Sequence, residues 1–290
     1  MDLKLPAPES LFFVCGPTAS GKSAHAFQAA RDLNGEIVNA DAFQLYRGVE
    51  VLTAAPPQED HAKLPHHLYG VLAPSETVDA MAYLRRVVPV IEELLTRGKT
   101  PIITGGSGLY LKFLSHGPSP LPPGEAGLRQ ELDALPLEEL VSRLQSLDPV
   151  EAARTDLHNR RYVSRALEVC ILAGVPCSTL RDDWEQATQA RAAKLRGVFL
   201  QREREDLHRR IAVRTRAMLD GGAIEEVAAL KDAATGLEKA IGLGEIRRLL
   251  AGEIDRATCE DLINAATRQY AKRQETWFKR ETWLKHTTHP

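Results

Sequence analysis

Gly16-Pro17-Thr18-Ala19-Ser20-Gly21-Lys22-Ser23 is a complete G-x-x-x-x-G-K-[ST] loop, and its surroundings decide the fold. An apolar run, Leu11-Phe12-Phe13-Val14-Cys15, precedes it, and a helix-prone run from Ala24 to Leu33 follows. That strand–loop–helix context is what gives the motif its meaning. Successive backbone N–H groups and the helix N-terminus then converge on an anion, and Lys22 adds a full positive charge. The loop from Gly16 through Ser23 is the expected phosphate cradle, with the Ser23 hydroxyl where it can hold Mg2+. A diphosphate or a triphosphate is the expected ligand, and the loop alone does not say which.

Outward from the loop, strands and helices alternate. Glu36-Ile37-Val38-Asn39-Ala40 is a short apolar run ending at Asp41, and Thr100-Pro101-Ile102-Ile103-Thr104 reads as a buried strand closed by Gly105-Gly106-Ser107-Gly108. Residues 79–97 carry helical periodicity, with a kink expected at Pro89 and a stop at Gly98. This order predicts an α/β fold, a P-loop NTPase-like parallel sheet flanked by helices, with functional loops at the carboxyl ends of the strands. Asp41 and the 105–108 turn are therefore expected to face the phosphate loop. A Pro/Gly-rich break at 117–124 marks a boundary, beyond which about 125–190 is helical in pattern, with caps at Asp148-Pro149 and Gly174-Val175-Pro176. Arg196-Gly197-Val198-Phe199-Leu200 returns to the sheet, and the chain from Asp206 onward reads as helical. Residues 1–117 and 194–290 are thus predicted to form a catalytic core, and 118–193 a helical insertion domain.

With 290 residues, 43% of them hydrophobic, the chain can bury one large or two modest cores. A net charge of −2 leaves nucleic-acid binding to local patches rather than to a global basic character. Cys15, Cys170, Cys177 and Cys259 form no C-x-x-C pair and read as reduced packing residues of a cytoplasmic protein. His66-His67 and His158 supply no convincing zinc set. No apolar stretch approaches the roughly 20 residues that span a bilayer, so no membrane association is expected. A monomer suffices for everything the residues suggest.

A hydrolytic ATPase carries an acid at the end of a second buried strand to hold Mg2+. Here that strand ends in Thr104-Gly105-Gly106-Ser107, without one, while the strand at 36–40 supplies Asp41. A carboxylate in that position can act as general base toward an incoming nucleophile, as a water-mediated metal partner, or simply as a turn cap. The glycines at 105, 106 and 108 permit close backbone approach and leave the Ser107 hydroxyl for substrate.

Taken together the motifs resemble the tRNA dimethylallyltransferase (tRNA isopentenyltransferase) family. The matching pieces are the 16–23 loop, Asn39-Ala40-Asp41-Ala42-Phe43-Gln44-Leu45-Tyr46-Arg47-Gly48, Pro65-His66-His67-Leu68, Gly105-Gly106-Ser107-Gly108-Leu109-Tyr110, Ser164-Arg165-Ala166-Leu167-Glu168-Val169, Ala240-Ile241-Gly242, and the run from Thr267 to Phe278. The resemblance implies that the loop holds dimethylallyl diphosphate and that the exocyclic amine of tRNA adenosine 37 attacks its allylic carbon. Asp41 would take the amine proton and Gln44 would help hold the adenine. Lys22, Ser107, Arg214 and Mg2+ on Ser23 would complete the catalytic set, stabilising the departing diphosphate. Arg214 and Arg210 share a helix face at i,i+4 spacing.

The target adenosine lies in a stacked loop and has to be extruded to react. The anticodon stem-loop is accordingly expected to contact Asp41, Ala42, Phe43, Gln44 and Ser107. In the insertion it would meet Arg129, Arg160, Arg161, Tyr162, Val163, Ser164 and Arg165. Beyond it the expected contacts are Ala240, Ile241, Gly242, Leu243, Gly244 and Glu245, then Arg268, Lys272 and Arg273 on the last helix. Tyr270, Trp277 and Leu284, at seven-residue spacing, are expected to form that helix's core face. Ser23 and Ser107 stand where the family usually has threonine, Ala55 where it has lysine, and Tyr162 where arginine is frequent. Asp156-Leu157-His158-Asn159 replaces the usual His-Pro-Asn stretch. Competing readings are a P-loop small-molecule kinase, with Asp41 as base toward a hydroxyl, and a prenyltransferase acting on free AMP.

Overall fold

The computed structural model describes residues 4–230 and 235–288. Its first part runs β1 (Phe12–Cys15), α1 (Lys22–Asp32), β2 (Gly35–Asn39), α2 (Gln58–Lys63), β3 (His66–His67), α3 (Ala80–Thr96), β4 (Thr100–Gly105) and α4 (Gly108–His116). Five helices follow: α5 (Ala126–Asp133), α6 (Leu137–Leu147), α7 (Pro149–Arg154), α8 (Arg160–Ala173) and α9 (Cys177–Ala192). The chain closes with β5 (Arg196–Gln201), α10 (Arg204–Asp220), α11 (Ala223–Ala229), α12 (Leu243–Leu250), α13 (Arg256–Phe278) and β6 (Lys285–Thr288).

All strand pairs are parallel, in the order β3-β2-β4-β1-β5-β6. Side chains alternate across the sheet, as the pleat requires. Phe13, Val38, Ile103 and Phe199 enter one core, while Val14, Ile37, Ile102 and Leu200 pack on the other face against Ala26, Ala29 and Ala30 of α1. With both faces covered, the central strands read as unbroken apolar runs. The register pairs Cys15 with both Gly105 and Phe199, and Asn39 with Thr104, so β1, β2 and β4 finish within one residue of each other while β5 runs two residues further. The residues that follow them are thereby gathered along one edge.

Two expectations are corrected, at the tail of the chain and on the last helix. The helix at 80–96 continues through Pro89. Pro89 and Arg85, whose carbonyl loses its intrahelical partner, are both exposed, so water can serve that carbonyl while Val87, Val88, Ile91 and Leu94 stay buried. The tail after 284 is a strand rather than helix. Lys285 to Thr288 is an edge strand with little apolar signal, ordered by pairing with β5. The buried face of α13 is Cys259, Ile263, Asn264, Thr267, Ala271, Gln274 and Phe278. These steps of three and four follow the 3.6-residue turn, from which a strict seven-residue spacing drifts. Tyr270 falls off that stripe, and Leu284 lies beyond the helix end.

The chain divides into two compact units, Met1–His116 with Ala192–Pro290, and Gly117–Arg191. The second is a helical unit around Leu132, Leu140, Leu144, Ala152, Val163, Ala166 and Leu167. Asp148, 1% exposed, accepts from the Glu151 N–H at 2.9 Å at the start of α7. The same carboxylate accepts from the Ser178 N–H and hydroxyl at 2.8 Å each, so it joins two helix starts. Among the described residues, no single helix is long and apolar enough to cross a membrane.

Candidate active site

The phosphate loop leaves β1 and is braced by two arginines. Arg210 Nε donates to the Ala19 carbonyl and Arg202 Nε to the Ser20 carbonyl, both at 2.9 Å. In a trans peptide the N–H points opposite its carbonyl, so drawing the Ser20 oxygen outward turns the Gly21 N–H the other way. Lys22 Nζ donates to the Pro17 carbonyl at 2.8 Å, and the N–H of the same peptide unit, on Thr18, donates to Gln274 Oε1 at 2.8 Å. Gln274 Nε2 donates in turn to the Gly106 carbonyl at 3.0 Å.

At the end of β2, Asn39 sets the direction of the chain. Its Oδ1 accepts from the Asp41 N–H at 2.8 Å, and its Nδ2 donates to the carbonyls of Asp41 and Leu68 at 3.1 and 2.9 Å. Asp41 Oδ1 accepts from the Phe43 N–H at 3.1 Å, so one of its oxygens does cap a turn. The Ser107 hydroxyl accepts from the Ala42 N–H at 2.8 Å, which ties it to the chain after β2. The neighbouring glycines serve the same closeness: a Cβ on Gly105 would lie 2.2 Å from the Ala40 carbonyl, and one on Gly106 2.0 Å from Gln274 Nε2. Gln44 Nε2 donates to the carbonyls of Thr53 and Ala54 at 3.0 Å each, which fixes its amide and leaves its Oε1 as the acceptor.

A cavity of about 800 Å³ opens beside this network, lined at one part by Thr18, Ala19, Gly21, Lys22, Ser23, Asp41, Arg210, Arg214 and Tyr270, while Asn39, Ser107 and Gln274 stand behind its wall. Phe43, Gln44, Leu52, Met218, Ala240, Ile241 and Ile263 supply a more apolar lining, and Arg273 joins from α13. Burial pushes the Lys22 ammonium down to about 8, with Arg214 acting in the same direction and Asp41 opposing. Burial likewise lowers Arg214, again against the pull of Asp41. Burial and the Asp41 charge both raise the Tyr270 phenol. The cavity therefore holds cations whose charged forms a bound anion would favour. The described residues contain no group of three or more His, Cys, Asp or Glu able to cage a metal. The Ser23 hydroxyl lines the cavity beside Lys22 and could hold Mg2+, which needs only one or two protein oxygens when a polyphosphate and water supply the rest.

The remaining sequence candidates fall elsewhere. Gly16, Pro17 and Ser20 shape the loop without lining the cavity. Gly242, Leu243, Gly244 and Glu245 form the start of α12, where the Glu245 carboxylate accepts from the Gly242 N–H at 3.0 Å. Arg268 is half-buried, while Lys272 and Arg273 are exposed, Arg273 lying over the Tyr270 ring. In the helical unit, Arg129 and Arg165 both reach the buried Glu168, and Arg160 donates to the Leu132, Asp133 and Leu135 carbonyls that end α5. Arg161 and Tyr162 are exposed, and Ser164 is buried. Val163 and Leu243 are wholly buried in the cores of their units, which corrects the expectation of RNA contact as far as their side chains go.

A family model described as IPP transferase matches residues 44–281. The chain belongs to the IPP transferase family. It is 45% identical to the tRNA dimethylallyltransferase of Akkermansia muciniphila over 273 residues, 94% of this chain and 91% of that protein. The tRNA dimethylallyltransferase of Geobacter sulfurreducens is 38% identical over 288 residues, 97% and 92% of the two chains. Among solved structures, the tRNA isopentenylpyrophosphate transferase of Staphylococcus epidermidis superposes with a TM-score of 0.68 at 30% identity, covering 96% of this chain and 92% of the other. The family match begins at Gln44, after the phosphate loop and Asp41.

Four residues that hold the site together are not among the site residues expected from the sequence: Asn39, Arg202, Arg210 and Gln274. Arg202 follows the carboxyl end of β5, and Arg210 sits four residues before Arg214, so position and spacing both carried a signal. Asn39 and Gln274 lie in stretches that carry the resemblance, but the partners that give them a role become visible only in the fold.

Proposed function

We propose that this chain transfers a dimethylallyl group from dimethylallyl diphosphate to the N6 amine of adenosine 37 in the tRNA anticodon stem-loop. The observation that carries the reading is the single cavity that joins a phosphate loop, an apolar wall and the Asp41 carboxylate. The loop's N–H groups, Lys22 and Arg214 bind the diphosphate, and the apolar residues accept the prenyl chain and the extruded base. Gln44 presents its amide oxygen as an acceptor for the adenine amine. The amine nitrogen forms a bond to the allylic carbon as the carbon–oxygen bond to diphosphate breaks, and Asp41 receives the amine proton. Lys22 and Arg214 neutralise the charge growing on the leaving diphosphate, an effect worth about 10²–10³ in rate per fixed donor. Mg2+, held by the Ser23 hydroxyl and the diphosphate, would supply further charge neutralisation. Extrusion of the base and contacts to the flanking stem fall to the helical unit and the basic residues of α13.

The test is incubation with Mg2+, dimethylallyl diphosphate and unmodified tRNA, followed by mass analysis of the nucleosides. Isopentenylated adenosine at position 37 is expected. Prenylation of AMP in preference to tRNA would replace the acceptor, and ATP-dependent phosphorylation of a metabolite without prenyl transfer would replace the reaction.

A further inference from the structure

Gln274 lies on the buried face of α13 with 4% of its surface exposed. A long amide in such a place is costly unless each of its groups is paired. Here both are, over separations of 256 and 168 residues: Oε1 accepts from Thr18 N–H at 2.8 Å, and Nε2 donates to the Gly106 carbonyl at 3.0 Å. The opposite amide orientation would set an N–H against the Thr18 N–H and an oxygen against the Gly106 oxygen, so the network fixes the assignment. The Thr18 N–H and the Pro17 carbonyl are the two ends of one rigid peptide plane, and that carbonyl accepts from Lys22 Nζ at 2.8 Å. One line of hydrogen bonds thus runs from the turn after β4, through the Gln274 amide and the 17–18 peptide, to the lysine of the phosphate loop.

We propose that Gln274 is a positioning residue of the diphosphate site, setting the tilt of the 17–18 peptide and through it the place of the Lys22 ammonium. The inference rests on the function proposed above. Gln274 lies behind the loop rather than among the residues lining the cavity, so it acts through Thr18 and Lys22 and not on the substrate. Its fit is matched to Gly106: a Cβ there would lie 2.0 Å from Nε2, and a side chain tied at both ends cannot swing away.

The experiment compares the wild-type chain with Gln274→Met, which keeps the length and loses the amide. Inorganic diphosphate binding and tRNA binding are measured by calorimetry at fixed salt, and the donor KM alongside kcat. Gln274→Met is expected to weaken diphosphate by about tenfold, with the donor KM rising in step. Its tRNA affinity should stay within about twofold, and kcat should fall less than the donor KM rises. A second pair of variants carries the same test if Gln274→Met fails to fold. Gly106→Ala should damage diphosphate binding in the wild-type background and add nothing in a Gln274→Ala background. Diphosphate affinity unchanged in Gln274→Met would make Gln274 a packing tie alone and overturn the inference. So would additive damage in the Gly106 and Gln274 pair. A wild-type chain that binds no diphosphate would instead sink the proposed function, and this inference with it.

Discussion

Two groups of arginines, one in each unit, play different parts. In the helical unit, Arg165 donates to Glu168 Oε2 at 2.7 Å, Arg129 reaches the same carboxylate at 3.3 Å, and Arg160 closes the end of α5 on three carbonyls. Glu168 is 2% exposed and also accepts from the Glu125 N–H, so without those cations it would be a buried charge left to itself. In the catalytic unit, Arg202 and Arg210 hold loop carbonyls, and Arg214 lines the cavity with no carboxylate hydrogen bond among the described residues. A guanidinium facing a buried carboxylate is already compensated and holds the fold. One facing a cavity, with Asp41 as its attracting charge, is set for an incoming anion.

The comparison breaks first if the cavity's charges are not catalytic. Asp41→Ala should lower turnover by about 10²–10⁴, the usual range for a positioned general base, while inorganic diphosphate still binds. Near-normal turnover would reduce Asp41 to the turn cap that its bond to the Phe43 N–H already makes it. Arg214→Ala should cost about 10²–10³ in kcat/KM with little change in melting temperature, since it strands no carboxylate. A fall in melting temperature with turnover preserved would place Arg214 in the same class as Arg165.

The two classes also differ in how they titrate. Lys22 ionises near 8 in the free protein, charged below that pH and neutral above it. Because diphosphate prefers the charged form, the donor KM should rise as pH climbs through about 8. Arg214→Ala removes a nearby positive charge and should move that limb to higher pH. Glu168 shows the opposite sign. Burial alone would raise its carboxyl, but the Arg165 bond, the Glu125 N–H and Arg129 together hold it below the usual range. Its stabilising contribution is therefore present above the unfolded carboxylate pKa and disappears as pH falls through the folded one. Arg165→Ala should destabilise the protein by about 1–3 kcal/mol, read from denaturant midpoints at neutral pH, with the difference from wild type shrinking in acid.

Much of this was legible in the chain before any coordinates. The 16–23 loop between an apolar run and a helix-prone run fixes the first β–α unit, and the runs ending at Asp41 and Gly105 place two more strand ends beside it. Residues that act within their own segment could be read because their signal is local. Gln274 could not, since a glutamine on a helix of mixed composition looks like a solvated position until Thr18 and Gly106 arrive from 256 and 168 residues away. Arg129 and Arg165 posed the converse difficulty. Their type and position suited RNA, and only the burial of Glu168 shows that their charge is compensated within the unit. The strand at 285–288 escaped because an edge strand of lysine, histidine and threonine carries no apolar alternation.

Arg161 supplies the smallest and cleanest contrast. It neighbours Arg160 and lies four residues before Arg165, but it is exposed and has no ion-pair or hydrogen-bond partner among the described residues. Removing its side chain strands no buried group, so Arg161→Ala should leave stability within about 0.5 kcal/mol of wild type. If it meets a tRNA phosphate, the loss appears only in RNA binding. The slope of log affinity against log salt should then fall by about one unit, with the same weakening for every tRNA that binds. Arg165→Ala, by contrast, should change the denaturant midpoint first and RNA binding as a consequence. An unchanged salt slope for Arg161→Ala would make Arg161 a solvated cation, and the helical unit would then have to grip RNA with residues other than its uncompensated arginine.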